Sequence, residues 1–268
     1  MPRFKLTLEY AGTRYSGWQI QKNARTVQGE IDKATRQVTG RHDFELYGSG
    51  RTDAGVHALA QVAHLDVSTS LPPEPLRRRL NEELPADINI LAASVVPHRF
   101  HARHHAVARR YLYQIATRRT ALAKPYVWWV KDQIEVARTR EAAQMLVGMR
   151  DFGAFAERDD DDGENDRVAR STLVLLDRVE VGETDDLLLV AVEGSHFLWK
   201  MVRRIVGVLV EIGKGGLEPS AVTEFLAGPS SVPASRTAPA SGLFLERVYY
   251  QGDRRDTPLR AATPLRAS

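Results

Sequence analysis

Twice along this chain the hydrophobic period changes in the same order, and that order limits the fold more than any other feature. Phe4, Leu6, Leu8 and Tyr10 alternate with Arg3, Lys5, Thr7 and Glu9, the period of a half-buried strand. Residues 11–25 form a loop rich in Gly, Ser, Tyr and Trp, after which Val27, Ile31, Ala34 and Val38 take helical spacing until Gly40 stops it. Strand-like residues 43–47 and 61–67 flank a glycine-rich loop. A second helix, opened by Pro72, Pro73 and Pro75, carries Leu76, Leu80 and Leu84, and a strand runs from Ile88 to Val96. The order is βαββαβ. It recurs as a strand over Arg110–Thr117, a helix over Arg138–Met149, strands Thr172–Val181 and Leu187–Val192 paired around Gly182-Glu183, a helix over Phe197–Ile212 and a strand over Leu243–Tyr250.

This pattern predicts an α+β chain of two ferredoxin-like βαββαβ halves, residues 1–107 and 108–251, with a shared cleft. The repeat is one of topology, without residue-by-residue similarity. A helix over Glu218–Leu226 is an addition to the second half. Residues 252–268, with Pro258, Pro264 and scattered arginines, read as a disordered tail.

At 268 residues and 43% hydrophobic composition the chain can bury a core without staples. It has no cysteine, which excludes disulfides, thiolate catalysis and zinc ribbons and fits a reducing compartment. No apolar run reaches the length of a membrane span, and Met1-Pro2-Arg3-Phe4 leads straight into a strand without a secretory signal, so a cytoplasmic location and no membrane partner are expected. The net charge of +3 understates the local basicity, because seven acids and one arginine crowd into residues 157–166. Between Pro97 and Arg119 stand six arginines, four histidines and no acid, a surface suited to a polyanion such as a phosphate backbone, or else an ordinary solvated face.

The loop Gly48-Ser49-Gly50-Arg51-Thr52-Asp53-Ala54-Gly55-Val56-His57 is the candidate site. Its glycines permit positive φ and close approach of another backbone or ligand, and it can hold Arg51 and Asp53 at the edge of a cleft. The plainer reading is a long hairpin in which Asp53 caps its own backbone. No Gly-Lys-Ser/Thr follows and no helix begins there, so it is not a P-loop. The acidic run fails as a calcium loop: with Gly163 at the glycine position, Arg158 takes the first ligand place and Ala169 the last. His101, His104 and His105 have spacing that suits a metal, but no carboxylate lies near and Arg99, Arg103, Arg109 and Arg110 repel a cation, so they are expected to join the anion-binding surface. On the long helix, Leu198, Met201, Val202, Ile205, Leu209 and Ile212 make the apolar stripe. Arg203 falls beside it, either with a carboxylate partner or snorkelling, while Lys200 and Arg204 point outward.

Taken together, Gly50-Arg51-Thr52-Asp53-Ala54-Gly55-Val56-His57, Phe100-His101-Ala102-Arg103 with Ala108-Arg109-Arg110-Tyr111-Leu112-Tyr113, and Phe197 with Met201-Val202-Arg203-Arg204-Ile205-Val206-Gly207 resemble the TruA family of tRNA pseudouridine synthases. Glu9-Tyr10-Ala11-Gly12-Thr13 with Gly17-Trp18-Gln19, Thr26-Val27-Gln28-Gly29, Asp151-Phe152-Gly153-Ala154-Phe155 and Ala238-Pro239-Ala240-Ser241-Gly242-Leu243 support the likeness, which covers roughly residues 3–250. It implies a pseudouridine synthase fold with a central antiparallel sheet and a basic cleft. It implies an isomerase without cofactor or metal, acting as a homodimer on uridines of the tRNA anticodon stem-loop, at tRNA positions 38, 39 and 40. By the same resemblance Asp53 is the catalytic aspartate, Arg203 its ionic partner and Tyr111 the aromatic under the target base. Arg51 helps displace the nucleotide, and Leu243 lines the uracil pocket. The arginines Arg103, Arg109 and Arg110 are expected to contact phosphates. Residues 157–166 are more acidic than the family leads one to expect, and the chain beyond Gly252 has no counterpart in it. The rival reading is a non-catalytic RNA-binding protein or RNA chaperone, which needs the basic patch and tyrosines but has no use for a carboxylate that opposes RNA. A metal-dependent nuclease lacks a second carboxylate in the loop.

Overall fold

The computed structural model describes residues 1–157 and 171–265. Its elements, in chain order, are β1 (Arg3–Tyr10), α1 (Val27–Thr39), β2 (Glu45–Gly48), β3 (His57–Asp66), α2 (Pro73–Glu83), β4 (Ile88–Val96), β5 (Ala106–Ala116), β6 (Trp128–Trp129), α3 (Val136–Met145), β7 (Gly148–Asp151), β8 (Leu173–Thr184), β9 (Leu187–Gly194), α4 (Met201–Gly213), α5 (Ala221–Ala227), α6 (Val232–Ser235) and β10 (Leu243–Tyr250). The chain divides into two compact units, Met1–Arg109 with Phe244–Asp256, and Arg110–Leu243 with Thr257–Ser268. Apart from Glu157, the acidic run and its comparison with a calcium loop lie outside the described residues.

In the first unit β1 lies between β4 and β3, antiparallel to both. Phe4, Leu6, Leu8 and Tyr10 are buried while their neighbours are half-buried or exposed, as alternation requires. The other edge of β3 carries two strands. Antiparallel β2 pairs with its C-terminal half, and parallel β10 meets its N-terminal end, with Phe244 opposite His57 and Leu245 opposite Ala58. Helix α1 starts where the Thr26 hydroxyl accepts the Gly29 N–H at 3.2 Å and ends at Gly40, whose φ of 65° makes the left-handed cap. Each helix buries an aliphatic row, Val27 and Ile31 in α1 and Leu76 and Leu80 in α2. The sequence reading gave the last strand to the second half. The contacts put Phe244–Asp256 in the first, where the Tyr250 hydroxyl donates to Ala102 O at 2.7 Å and Lys5 Nζ lies 4.4 Å from the Tyr250 ring centre.

In the second unit the strand order is β5–β9–β8–β7, with β6 beside β5. All eight residues of β9 are buried, as its nearly continuous apolar run predicts. The β8–β9 hairpin turns at Asp185-Asp186, with Asp185 at φ 45°, rather than at Gly182-Glu183. Gly182 stays in the strand, where a Cβ would stand 2.9 Å from Leu259 Cδ2. Helix α4 buries the predicted stripe from Met201 to Ile212, but Leu198 falls outside it and is half-buried, because the helix begins only at Met201, four residues later than its spacing suggests, where Lys200 at φ 58° breaks the turn. Arg204, expected to face water, is 6% exposed and bonds Glu157 and Ala156 O.

The segment read as a disordered tail has no regular structure, yet it is held as far as Leu265. Gln114, wholly buried on β5, accepts the N–H groups of Ala262 and Thr263 at 2.7 and 3.2 Å and donates to the Thr263 hydroxyl at 2.8 Å. Leu265 is itself buried. A polar side chain inside a sheet needs partners, and residues 262–263 supply them.

Candidate functional site

The Gly48–His57 loop joins β2 to β3 and is immobilised along its length by backbone hydrogen bonds. Residues 10–18 hold one side of it. The Tyr10 hydroxyl meets the Thr52 hydroxyl at 2.8 Å, the Trp18 N–H donates to Thr52 O at 3.0 Å, and the Gly55 N–H donates to Tyr15 O at 3.2 Å. The Gly12 N–H donates to His57 Nδ1 at 3.0 Å. The approach is too close for side chains. A Cβ on Gly12 would lie 1.9 Å from Val56 O, and one on Gly17, at φ 94°, would lie 2.6 Å from Thr52 O. These two glycines, read only as loop residues, are what allow the clamp.

The base of the loop is fixed from β3 and β5. Ser49 donates its N–H to Val62 O and its hydroxyl to Gln61 Oε1, both at 2.7 Å, and Gln61 Nε2 donates to Gly50 O at 3.0 Å. The Arg109 guanidinium donates to Ser49 O at 2.9 Å and to Arg103 O at 2.8 Å. Beyond this base the Val56 N–H donates to Asp53 O at 3.1 Å and closes a turn with Gly55 at φ 79°. Thr52, Val56 and His57 are buried, Asp53 is partly exposed and Arg51 is exposed. The His57 ring stacks on Phe244 at 4.8 Å, so this histidine supports the loop.

The arginines expected on phosphates part company. Arg103 is exposed. Arg109 is half-buried and spends its donors on the carbonyls above. Arg110 is completely buried, with Nη1 at 2.6 Å from Glu180 and 3.8 Å from Glu193. A guanidinium closed off by carboxylates meets no phosphate, so the expectation for Arg110 is corrected. Among the described residues no group of three or more acidic or histidine side chains is arranged to hold a metal ion, so His101, His104 and His105 do not form one.

Tyr111, Arg203 and Leu243 belong to the second unit. The Tyr111 ring, 9% exposed, meets Phe197 edge-on at 4.9 Å. Tyr113, two residues on and so on the same side of β5, donates its hydroxyl to Pro239 O at 2.7 Å. Its phenol pKa is raised by burial, with nearby Arg203 opposing. Residues 238–243 lie against it as a strap: a Cβ on Gly242 would sit 2.6 Å from Tyr113 Cε1, and the Ser241 hydroxyl donates to Val127 O at 3.2 Å. Arg203 holds the start of the strap twice, Nε donating to Ala238 O at 2.7 Å and its own O accepting the Ala238 N–H at 3.0 Å. At the end of the strap Leu243 is buried. Helix α4 comes close enough because residue 207 is glycine, where a Cβ would fall 1.5 Å from Arg236 O.

A rigid loop with a part-exposed aspartate, and a tyrosine and arginine fixed on a second unit, occur here in a chain whose sequence matches a known family over most of its length. Residues 7–105 and 142–251 match the family described as tRNA pseudouridine synthase, and the chain belongs to that family of isomerases, which convert uridine to pseudouridine in tRNA. It is similar to tRNA pseudouridine synthase A of Rhodopseudomonas palustris strain BisA53, 40% identical over 94% of this chain and 100% of the relative. It is also similar to tRNA pseudouridine synthase A of Agrobacterium fabrum, 38% identical over 93% of each chain, and to tRNA pseudouridine synthase A 2 of Clostridium tetani, 36% identical over 92% and 98%. The mixed α+β architecture with mostly antiparallel pairing agrees with the fold that the resemblance implied. No helix among the described residues is long and apolar enough to cross a membrane.

Proposed function

We propose that this chain isomerises uridines of the tRNA anticodon stem-loop, at tRNA positions 38, 39 and 40, with Asp53 as the catalytic nucleophile. One observation carries the reading. Asp53 is partly exposed on a loop whose preceding and following residues are pinned by hydrogen bonds, so little reorganisation is needed when substrate arrives.

The reaction breaks N1–C1′, turns the base, forms C5–C1′ and releases the C5 proton while N1 takes up a proton from solvent, with no net oxidation or reduction. Asp53 attacks C6 of uracil or C1′ of ribose, or takes a ribose proton on the way to a glycal. Tyr111 offers its ring to the extruded base and accepts help in position from Phe197. Arg203 is the active-site cation, Leu243 lines the uracil pocket, and exposed Arg51 and Arg103 hold backbone phosphates. Arg109 is a positioning residue, since it acts on substrate through the carbonyl of Ser49. The working form is a cytoplasmic homodimer.

The test is tritium release from tRNA transcripts labelled at uridine C5, comparing the parent with Asp53→Asn. Release by the parent, and none by a variant that still binds tRNA, is the expected result. A well-folded parent that binds tRNA and releases no tritium from any transcript would instead identify a non-catalytic RNA-binding protein or chaperone.

A further inference from the structure

We propose that Tyr47, with the histidines packed behind it, is a platform on which an unpaired nucleobase of the RNA substrate stacks, a base other than the uridine that reacts. The proposal rests on the reading of the chain as a tRNA-modifying enzyme, and it concerns a surface which that reaction does not use.

Tyr47 is the third residue of β2 and is 49% exposed, unusual for a large aromatic side chain in a strand of this unit. Its neighbour across the ladder is His64 of β3, and the two rings stack with centres 5.3 Å apart and planes 20° from parallel. His64 is buried and fixed, since its Nδ1 accepts the Ala102 N–H at 3.2 Å. His101 leans on both rings, 4.6 Å from His64 and 5.7 Å from Tyr47, and its Nδ1 accepts the N–H groups of Arg103 and His104 at 3.1 and 3.3 Å. The His104 ring lies a further 4.2 Å away. Four rings therefore form one continuous patch, anchored at its buried member and open at Tyr47.

A tyrosine held from behind loses little freedom when a flat ligand covers its other side, which is the property of a stacking platform. The charge around it selects the ligand. Arg99, Arg103, His98, His104 and His105 are exposed in the adjoining segment. Of the acids near the patch, Asp66 is engaged by Arg3, and Glu45 stands exposed on β2. An aromatic surface rimmed by cations fits a base with its phosphate better than an acidic or apolar peptide. Tyr47 is also joined to the Asp53 loop by only Gly48, so a base stacked there is registered against the candidate nucleophile through a short, hydrogen-bonded piece of chain.

The experiment compares the parent, Tyr47→Phe and Tyr47→Ala, checked for unchanged thermal unfolding, on two RNAs at one fixed salt: a tRNA transcript and a blunt, fully paired duplex. The expected result is parental tRNA affinity for Tyr47→Phe and a loss of about tenfold for Tyr47→Ala, the size of one base–aromatic contact. Duplex binding should be equal for all three proteins. In steady-state tritium release, Tyr47→Ala should raise KM and leave kcat near the parental value. Equal tRNA binding by Tyr47→Ala and the parent would overturn the proposal, as would a loss of the same size on the duplex. If the parent binds tRNA but releases no tritium, the enzymatic reading fails, while the two-RNA comparison still decides whether the platform exists.

Discussion

Three arginines that look alike in the sequence, Arg103, Arg109 and Arg110, meet three environments and should fail in three ways when changed to glutamine. Arg103→Gln, at an exposed position, should weaken tRNA binding and lower the slope of log Kd against log salt by about one. Arg109→Gln should leave that slope alone and reduce kcat on the order of tenfold, because it frees the Ser49 carbonyl at the root of the Asp53 loop. Arg110→Gln removes a fully buried cation from between Glu180 and Glu193, leaving Glu193 with Arg178 at 3.1 Å, and should lower stability in urea unfolding without changing the salt slope. The difference was hidden because alternation tells which side of a strand a residue takes but not what it finds there. Arg110 shares its side of β5 with Leu112 and Gln114, and the carboxylates that accept it come from β8 and β9, some seventy residues away or more. A glutamate inside the apolar run of β9 was the available hint. Arg204 was misjudged for the same reason, its partner Glu157 being 47 residues distant.

At the scale of elements, the candidate site depends on how tightly residues 10–18 grip the loop. Gly12→Ala should test this, since its methyl group would collide with Val56 O. The expectation is a fall in kcat of at least about tenfold with a lower Tm, checked by tritium release and thermal unfolding. The strands and the larger helices were legible because their apolar periods are strong, and the loop was legible as a link between two strands because strand-like residues 43–47 and 61–67 flank it. The clamp on it was not. Two of its hydrogen bonds run between main-chain groups, which leave no mark on residue identity except where a side chain is forbidden, at Gly12 and Gly17, and the other two join Tyr10 to Thr52 and Gly12 to His57 across more than forty residues. Turn positions failed in a related way. Gly182 seemed to mark the β8–β9 turn, yet it lies in the strand with Leu259 packed on it, and the turn passes to Asp185, a residue type that tolerates the left-handed region. Residues 259–265 looked free because the side chain that holds Ala262 and Thr263, Gln114, lies far away in the sequence.

For the molecule as a whole, acid sensitivity should trace in part to one imidazole. Burial, with help from the charge of Arg3, lowers the His64 pKa from 6.5 to about 4. Between those values the unfolded chain binds a proton that the folded protein refuses, so stability falls as pH drops from about 6.5 towards 4 and is flat above that window. The contribution is up to about 3 kcal/mol. Urea unfolding at pH 7.5, 5.5 and 4.5 should show a steep dependence in the parent and a shallower one in His64→Gln. Equal slopes would remove His64 from the account.

The first unit is closed by a strand that follows the whole helical part of the second. Strand β3, which receives the chain as it leaves the Asp53 loop, has β1 beside it early, but its partner at His57 and Ala58 is β10, and the hydroxyl that reaches Ala102 belongs to Tyr250. A ribosome has therefore passed residue 243 before the unit carrying the candidate nucleophile can be completed. Shortened translation products that end before residue 244 contain every motif of that loop and lack the strand that finishes its support. Premature termination before β10 thus yields chains that cannot complete the unit carrying the Asp53 loop, and activity is tied to synthesis through that strand.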